Sequence, residues 1–199
     1  MRLKPYFGLT LAVLFVCAAY PAFAQTVPAA KKGSLPLAVG AGLSGYDPYL
    51  GQGRMYGGSL WIDYTPNRVP SFLHGLGLEV EARDISLGHS SSQPSNLRED
   101  TAQAGLIYSW RRFRNFRPYA KALGGFGSID FNNRSPVYSH DTRSVFFAGA
   151  GVDYRVFHRV WVRADYEYQF WPDLLGRTTF DPQGFTVGAS YHFSRPHFH

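Results

Sequence analysis

The chain has 199 residues, 45% of them hydrophobic and 17% aromatic, which suffices for one domain and leaves little for a second. Its formal charge of +6 is modest, and its single cysteine, Cys17, rules out an internal disulfide and any metal site built on several thiolates. Disulfide scaffolds and zinc ribbons are excluded from the outset.

The first segment, residues 1–24, reads as an export address. Arg2 and Lys4 give it a positive start, Leu9 to Ala19 is an apolar run, and Ala22-Phe23-Ala24 is an A-x-A cleavage site. Cleavage after Ala24 makes Gln25 the mature start. The apolar run is shorter than the roughly 20 residues a membrane-spanning helix needs, which argues against a retained anchor. Cys17 lies inside this segment, and Val16 stands before it where a lipidated cysteine requires a small residue. Loss of Arg2 and Lys4 lowers the charge to +4, from 18 basic and 14 acidic residues. An exported domain without disulfides must be held together in another way, and a closed strand ladder in a membrane is one.

Residues 25–34 carry Pro28, Lys31 and Lys32 with no apolar period and read as a flexible periplasmic lead-in. Eight strand segments follow across 35–193, each of about ten residues with period-two alternation. Leu35 to Ser44 sets Leu37, Val39, Ala41 and Leu43 against Ala38, Gly40, Gly42 and Ser44. Met55 to Tyr64 sets Tyr56, Leu60, Ile62 and Tyr64 against Gly57, Ser59, Trp61 and Asp63. Leu76 to Ile85 sets Leu78, Val80 and Ala82 against Glu79, Glu81 and Arg83, and Thr101 to Trp110 sets Ala102, Ala104, Leu106 and Tyr108 against Gln103, Gly105 and Ile107.

The fifth segment, Pro118 to Ser128, places Ala120, Ala122 and Phe126 opposite Tyr119, Lys121 and Leu123, and its glycines suggest a bend or bulge. Ser144 to Tyr154 places Phe146, Ala148, Ala150 and Val152 opposite Val145, Phe147 and Asp153. The seventh, Val160 to Trp171, is the clearest, with Val162, Ala164, Tyr166, Tyr168 and Phe170 opposite Arg163, Asp165, Glu167 and Gln169. Gly184 to Phe193 closes the series with Phe185, Val187, Ala189, Tyr191 and Phe193 on one face. Residues 194–199 form a short tail.

The connections alternate in length and composition. Tyr46 to Arg54, Ser86 to Asp100, Asp130 to Arg143 and Pro172 to Gln183 are long and polar, as extracellular loops are. Thr65 to Gly75, Arg111 to Arg117 and Arg155 to Arg159 are mostly shorter and are expected to face the periplasm with both chain ends. The run Arg111-Arg112-Phe113-Arg114-Asn115-Phe116-Arg117 mixes basic and aromatic residues as nucleic-acid sites do, but export favours contact with anionic head groups.

Alternation alone fits both a soluble barrel with its apolar face inside and a membrane barrel with it outside. The polar face decides between them. Asp63, Glu79, Glu81, Arg83, Lys121, Asp153, Arg163, Asp165 and Glu167 all fall on it, and buried charges persist only when paired or hydrated. An eight-stranded interior is just wide enough for side chains to fill, so these nine residues are expected to form an internal ion-pair network. Tyr64, Tyr108, Trp110, Tyr119, Tyr154, Phe170, Trp171, Tyr191 and Phe193 lie near strand ends, as in the aromatic girdles of membrane barrels. The reading is an all-β, eight-stranded antiparallel up-and-down transmembrane β-barrel.

Thr186-Val-Gly-Ala-Ser-Tyr-His-Phe193 resembles the closing signal of bacterial outer-membrane barrels, a glycine followed by aromatics at alternate positions. Phe116-Arg-Pro-Tyr-Ala-Lys-Ala-Leu-Gly-Gly-Phe-Gly127 is similar to the f-x-P-Y opening of a Gly-rich strand in OmpA-type barrel domains. The resemblance spans nearly all of the expected mature chain. It implies a Gram-negative-type outer membrane, contact with outer-membrane lipid, and periplasmic chaperones and the barrel assembly machinery as partners, with Gly188, Tyr191 and Phe193 as the assembly signal. The family usually ends on its aromatic, whereas Ser194 to His199 follow Phe193 here.

Little else carries chemistry. The seven histidines show no ligand spacing, although His197 and His199 sit together at the tail, and no cofactor is expected. His89-Ser90-Ser91 and His192-Phe193-Ser194 lack a matched acid, so no enzyme is expected. Porin-type open pores need about 16 to 18 strands. The function expected is a structural or surface-recognition barrel whose specific activity, if any, lies in its outer loops; Asn132-Asn133-Arg134 and Tyr138-Ser139-His140-Asp141 are candidate contact residues there, although ordinary solvated loop is the simpler reading of both. The alternatives are a secreted, lipocalin-like barrel binding an apolar ligand and a lipid A-modifying enzyme.

Overall fold

The computed structural model describes residues 36–48, 53–66, 69–70, 73–87, 97–113, 115–131, 140–174 and 178–193. Nine strands run in chain order: β1 (Leu37–Asp47), β2 (Met55–Tyr64), β3 (Leu76–Leu87), β4 (Leu97–Ser109), β5 (Phe116–Phe131), β6 (His140–Arg155), β7 (Val160–Leu174), β8 (Thr178–Phe180) and β9 (Gln183–His192). Each of the long strands pairs antiparallel with its neighbours from β1 round to β7, and β9 closes the ring by pairing with both β7 and β1. The result is a closed eight-stranded barrel in which backbone amides and carbonyls are satisfied within the wall, the condition for strands to cross lipid. The short β8 stands outside this ring and pairs with the distal end of β7.

Side-chain direction follows the alternation strand by strand. On β3 the buried residues are Gly77, Glu79, Glu81, Arg83 and Ile85, and on β7 they are Trp161, Arg163, Asp165, Glu167, Gln169 and Trp171. The opposite faces carry exposed apolar groups such as Leu43 at 77%, Phe126 at 66% and Phe185 at 64% exposure. A soluble lipocalin-like barrel has the reverse arrangement, so that alternative is overturned by the direction of the side chains.

The interior has two levels. Near the rim where the chain enters and leaves, charged side chains fill it. Toward the distal rim Tyr46, Met55, Ile85, Leu97, Leu123, Ile129, Val145, Phe147 and Trp171 form a largely apolar plug, with Glu99 and Gln169 buried at the same level. Glycines make room for the largest rings: a Cβ on Gly40 would lie 2.3 Å from Trp61 Cε2, and one on Gly127 would lie 2.1 Å from Trp171 Cη2. Those glycines thus set packing, and the β4–β5 and β5–β6 registers run on without a bulge.

Several boundaries differ from the sequence reading. The Leu35 to Ser44 segment is strand from Leu37 to Asp47, with Leu35 outside the described residues. Leu97 to Asp100, Asp141 to Arg143 and part of Pro172 to Gln183, read as loop, belong to β4, β6, β7 and β8. These strands continue past the apolar band. There the outward face carries Asp84, Arg98 and Asp100, so polarity on that face marks strand in water and not loop. Tyr119 and Trp171, assigned to the girdles, are 1% and 0% exposed and point inward, whereas Tyr64, Tyr108, Trp110, Tyr154, Phe170, Tyr191 and Phe193 are exposed.

Candidate functional site: a charged barrel interior

Three cations organise the interior, each presented by the inward face of a different strand. Arg163 on β7 bonds Asp63 of β2 at 2.6 Å, Glu79 of β3 at 2.7 Å and Asp153 of β6 at 2.9 Å. Its guanidinium lies between aromatic faces, 4.9 Å from the centre of Trp61 and 4.7 Å from that of Tyr119. The planar fork of arginine suits this position, since it can meet several carboxylates in one plane while its faces stack.

Lys121 on β5 sits at the next level. Its Nζ lies 3.1 Å from Glu79, 2.7 Å from Glu81, 2.6 Å from Asp165 and 3.1 Å from Glu167. Oxygens of Glu81, Asp165 and Glu167 lie within 4.8 Å of one another, which is metal-ligand spacing, but the ammonium group of Lys121 already occupies their centre. Arg83 on β3 completes the stack. It bonds Glu81 at 2.5 Å and Glu167 at 2.7 Å, and its guanidinium lies 4.4 Å from the ring centre of Tyr46, whose hydroxyl donates to Glu167 at 3.1 Å.

All nine residues singled out in the sequence therefore lie on the inner face and in contact with one another. The charges are linked in series from Asp63 to Glu167, through cations shared between carboxylates. Such shared pairing makes desolvation tolerable, because removing any one member leaves its partners buried and uncompensated. Lys121 and Arg163 draw together β2, β3, β5, β6 and β7, clamping opposite walls of the barrel.

Sequence reasoning missed one interior charge, Glu99, which is fully buried beside Gln169 and within the field of Arg83. Its signal was present: Leu97, Glu99 and Thr101 alternate with Arg98 and Asp100, a period hidden by charge on both faces. With Glu99 included, seven carboxylates face three cations among the described interior residues. Of the inward aromatics, Trp61, Tyr119 and Trp161 fall on the polar face of the sequence alternation, whereas Tyr46 and Trp171 were not placed there.

The closing strand pairs along its length with β1, from Asp47↔Gln183 to Ala38↔His192, and with β7. Tyr191 and Phe193 make an edge-on contact at 5.1 Å on its outer face, and Gly188 lies on the inner face against Trp61. Ser190 Oγ lies 3.3 Å from His192 Nε2 inside the barrel, but both oxygens of the interior carboxylate Asp153 are held by Arg163. Ala22 and Ala24, His89 to Ser91, Asn132 to Ser139 and Ser194 to His199 lie outside the described residues.

A profile of the outer membrane protein beta-barrel domain matches residues 9–193. Among solved structures, Neisserial surface protein A superposes with a TM-score of 0.61 at 15% identity, covering 78% of this chain and 95% of that one. Ail, the attachment invasion locus protein of Yersinia pestis, in complex with the heparin analogue sucrose octasulfate, gives 0.50 at 19% identity, with 78% and 95% coverage. OprG of Pseudomonas aeruginosa gives 0.50 at 12% identity, with 78% and 94% coverage. At these identities the likeness is one of fold. No curated protein matches the sequence significantly.

Proposed function

Because the chain belongs to the outer membrane protein beta-barrel domain family, we propose that it serves as a closed, surface-displayed outer-membrane barrel of structural or recognition type. The observation that carries this reading is the filled interior. A shared-cation network occupies one half of the barrel and an apolar plug with Trp171 and Phe147 occupies the other. A barrel so filled transmits load and holds its shape, and its capacity for selective contact lies at the distal rim, where the strands stand above the lipid. The nine interior charges act as a rigid spine that sets the barrel's cross-section.

Residues 1–24 act as the export signal, cut between Ala24 and Gln25, and residues 25–34 as the lead-in to the barrel. Gly188, Tyr191 and Phe193 present the closing strand to the assembly machinery after periplasmic chaperones release the chain. The chain carries out no catalysis in this reading, since Ser190 and His192 face the interior and lipid cannot reach them.

Orientation follows from the lengths of the connections, with the distal rim outside the cell. Cysteine scanning tests it directly, because Cys17 leaves with the signal. In intact cells a membrane-impermeant maleimide is expected to label Asn133→Cys and to spare Arg112→Cys until the outer membrane is opened. The opposite pattern would overturn the orientation, and labelling of neither site before permeabilisation would overturn surface display.

A further inference from the structure

The chain's excess positive charge is confined to one rim. The turns 65–75, 111–117 and 155–159 contain seven arginines and no aspartate or glutamate, whereas the four distal connections, the inward-facing Glu99 set aside, hold six acidic and five basic residues. Two of the distal arginines are neutralised locally: Arg98 bonds Asp84 at 2.7 Å and Asp100 at 3.2 Å, and Arg143 bonds Asp141 at 3.1 Å. Among the described residues, the carboxylates closest to the other rim, Asp63 and Asp153, point inward to Arg163.

Several of the described arginines of that rim lie close together. The backbone amide of Arg155 donates to the carbonyl of Asn115 at 2.8 Å and its guanidinium to Asn115 Oδ1 at 2.7 Å, which joins the β4–β5 and β6–β7 turns. Arg117 and Arg155 lie 4.1 Å and 6.0 Å from the centre of the same Trp161 ring, and Arg159 donates to the Tyr191 hydroxyl at 3.0 Å. Arg111 and Arg112 are exposed beside them. Around these cations Phe113, Phe116 and Phe157 project outward at 52%, 44% and 69% exposure. Like charges fixed side by side in this way raise the local potential, and exposed aromatic rings beside them favour the membrane interface.

We infer that this rim is a binding surface for anionic phospholipid head groups of the inner leaflet, with the arginines on phosphate and the phenylalanines among the upper acyl carbons. The inference rests on the outer-membrane reading above. It accounts for both features at once, since guanidinium matches phosphate geometry and the rings match the layer immediately below it.

Native mass spectrometry of the folded full-length protein, titrated with phosphatidylglycerol or phosphatidylethanolamine at low ionic strength, tests it. Preferential retention of phosphatidylglycerol is expected. The triple variant Arg111→Gln/Arg112→Gln/Arg159→Gln should weaken it on the order of a hundredfold, at about fivefold per arginine. The corresponding Arg→Lys triple should keep most of it, and the distal pair Arg98→Gln/Arg143→Gln should not change it.

Equal retention of the two lipids, or an unchanged preference in the glutamine triple variant, would overturn the inference. So would preferential binding of purified peptidoglycan over phosphatidylglycerol vesicles, which would point to a cell-wall partner instead. A heat-modifiable band from each variant shows that the barrel has folded. Loss of that band in the parent protein would refute the barrel reading itself and not the lipid surface.

Discussion

Replacing Lys121 by methionine isolates what the interior network contributes. Methionine matches the length of the lysine stem, so the packing volume is nearly kept while the ammonium group is lost. Four carboxylates lie within 3.1 Å of that ammonium. Glu79 retains Arg163, and Glu81 and Glu167 retain Arg83, but Asp165 forms its ion pair with Lys121 alone among the described residues. Breaking a buried pair by removing one partner costs about 3–5 kcal/mol.

The loss is measured by urea unfolding in lipid vesicles, followed through tryptophan fluorescence, with Trp61 and Trp161 buried in the wall's interior. The double variant Lys121→Met/Asp165→Asn should recover a substantial part of it, because the residue left uncompensated is then neutral. A loss below about 1 kcal/mol, the range of exposed pairs, would refute the claim that the network is dry and shared. So would failure of Asp165→Asn to restore any stability.

Other expectations follow from the same geometry. Gly40→Leu drives a side chain into Trp61, so it should abolish the heat-modifiable form, and Trp61→Ala in the same chain should restore part of it. The exposed Arg98 pairs with Asp84 and Asp100 at the distal rim, so Arg98→Ala should change unfolding stability by less than about 1 kcal/mol. In planar bilayers the protein should give no porin-sized conductance steps, because Lys121, Arg163 and the apolar plug fill the lumen; steady large steps would contradict the filled interior.

The wall was legible because lipid and the lumen impose opposite demands on adjacent residues. Val162-Arg163-Ala164-Asp165-Tyr166-Glu167 states that contrast in six residues, and the structure sorts them accordingly. The contrast fades where the wall leaves the lipid. At Leu97 to Asp100 both faces are polar or mixed, so strand and loop look alike in sequence, and Glu99 was lost with them. The three-residue β8 is too short to show a period at all.

Aromatic position was the other ambiguity. A ring near a strand end fits a girdle or the lumen, and only its parity within the strand separates them. Tyr119 shares parity with Lys121, and Trp171 with Gln169, which places both rings inside. The closing strand was readable in full, whereas the partnering of charges across the lumen was not, since it depends on registers between strands up to 100 residues apart, as for Arg163 and Asp63.

The most direct test of the whole account is electrophoresis of the outer-membrane fraction with and without boiling. The protein is expected in that fraction, with a compact, detergent-resistant form that shifts in mobility only on boiling. Recovery in the soluble periplasm with no heat-dependent shift would contradict a closed barrel in the outer membrane.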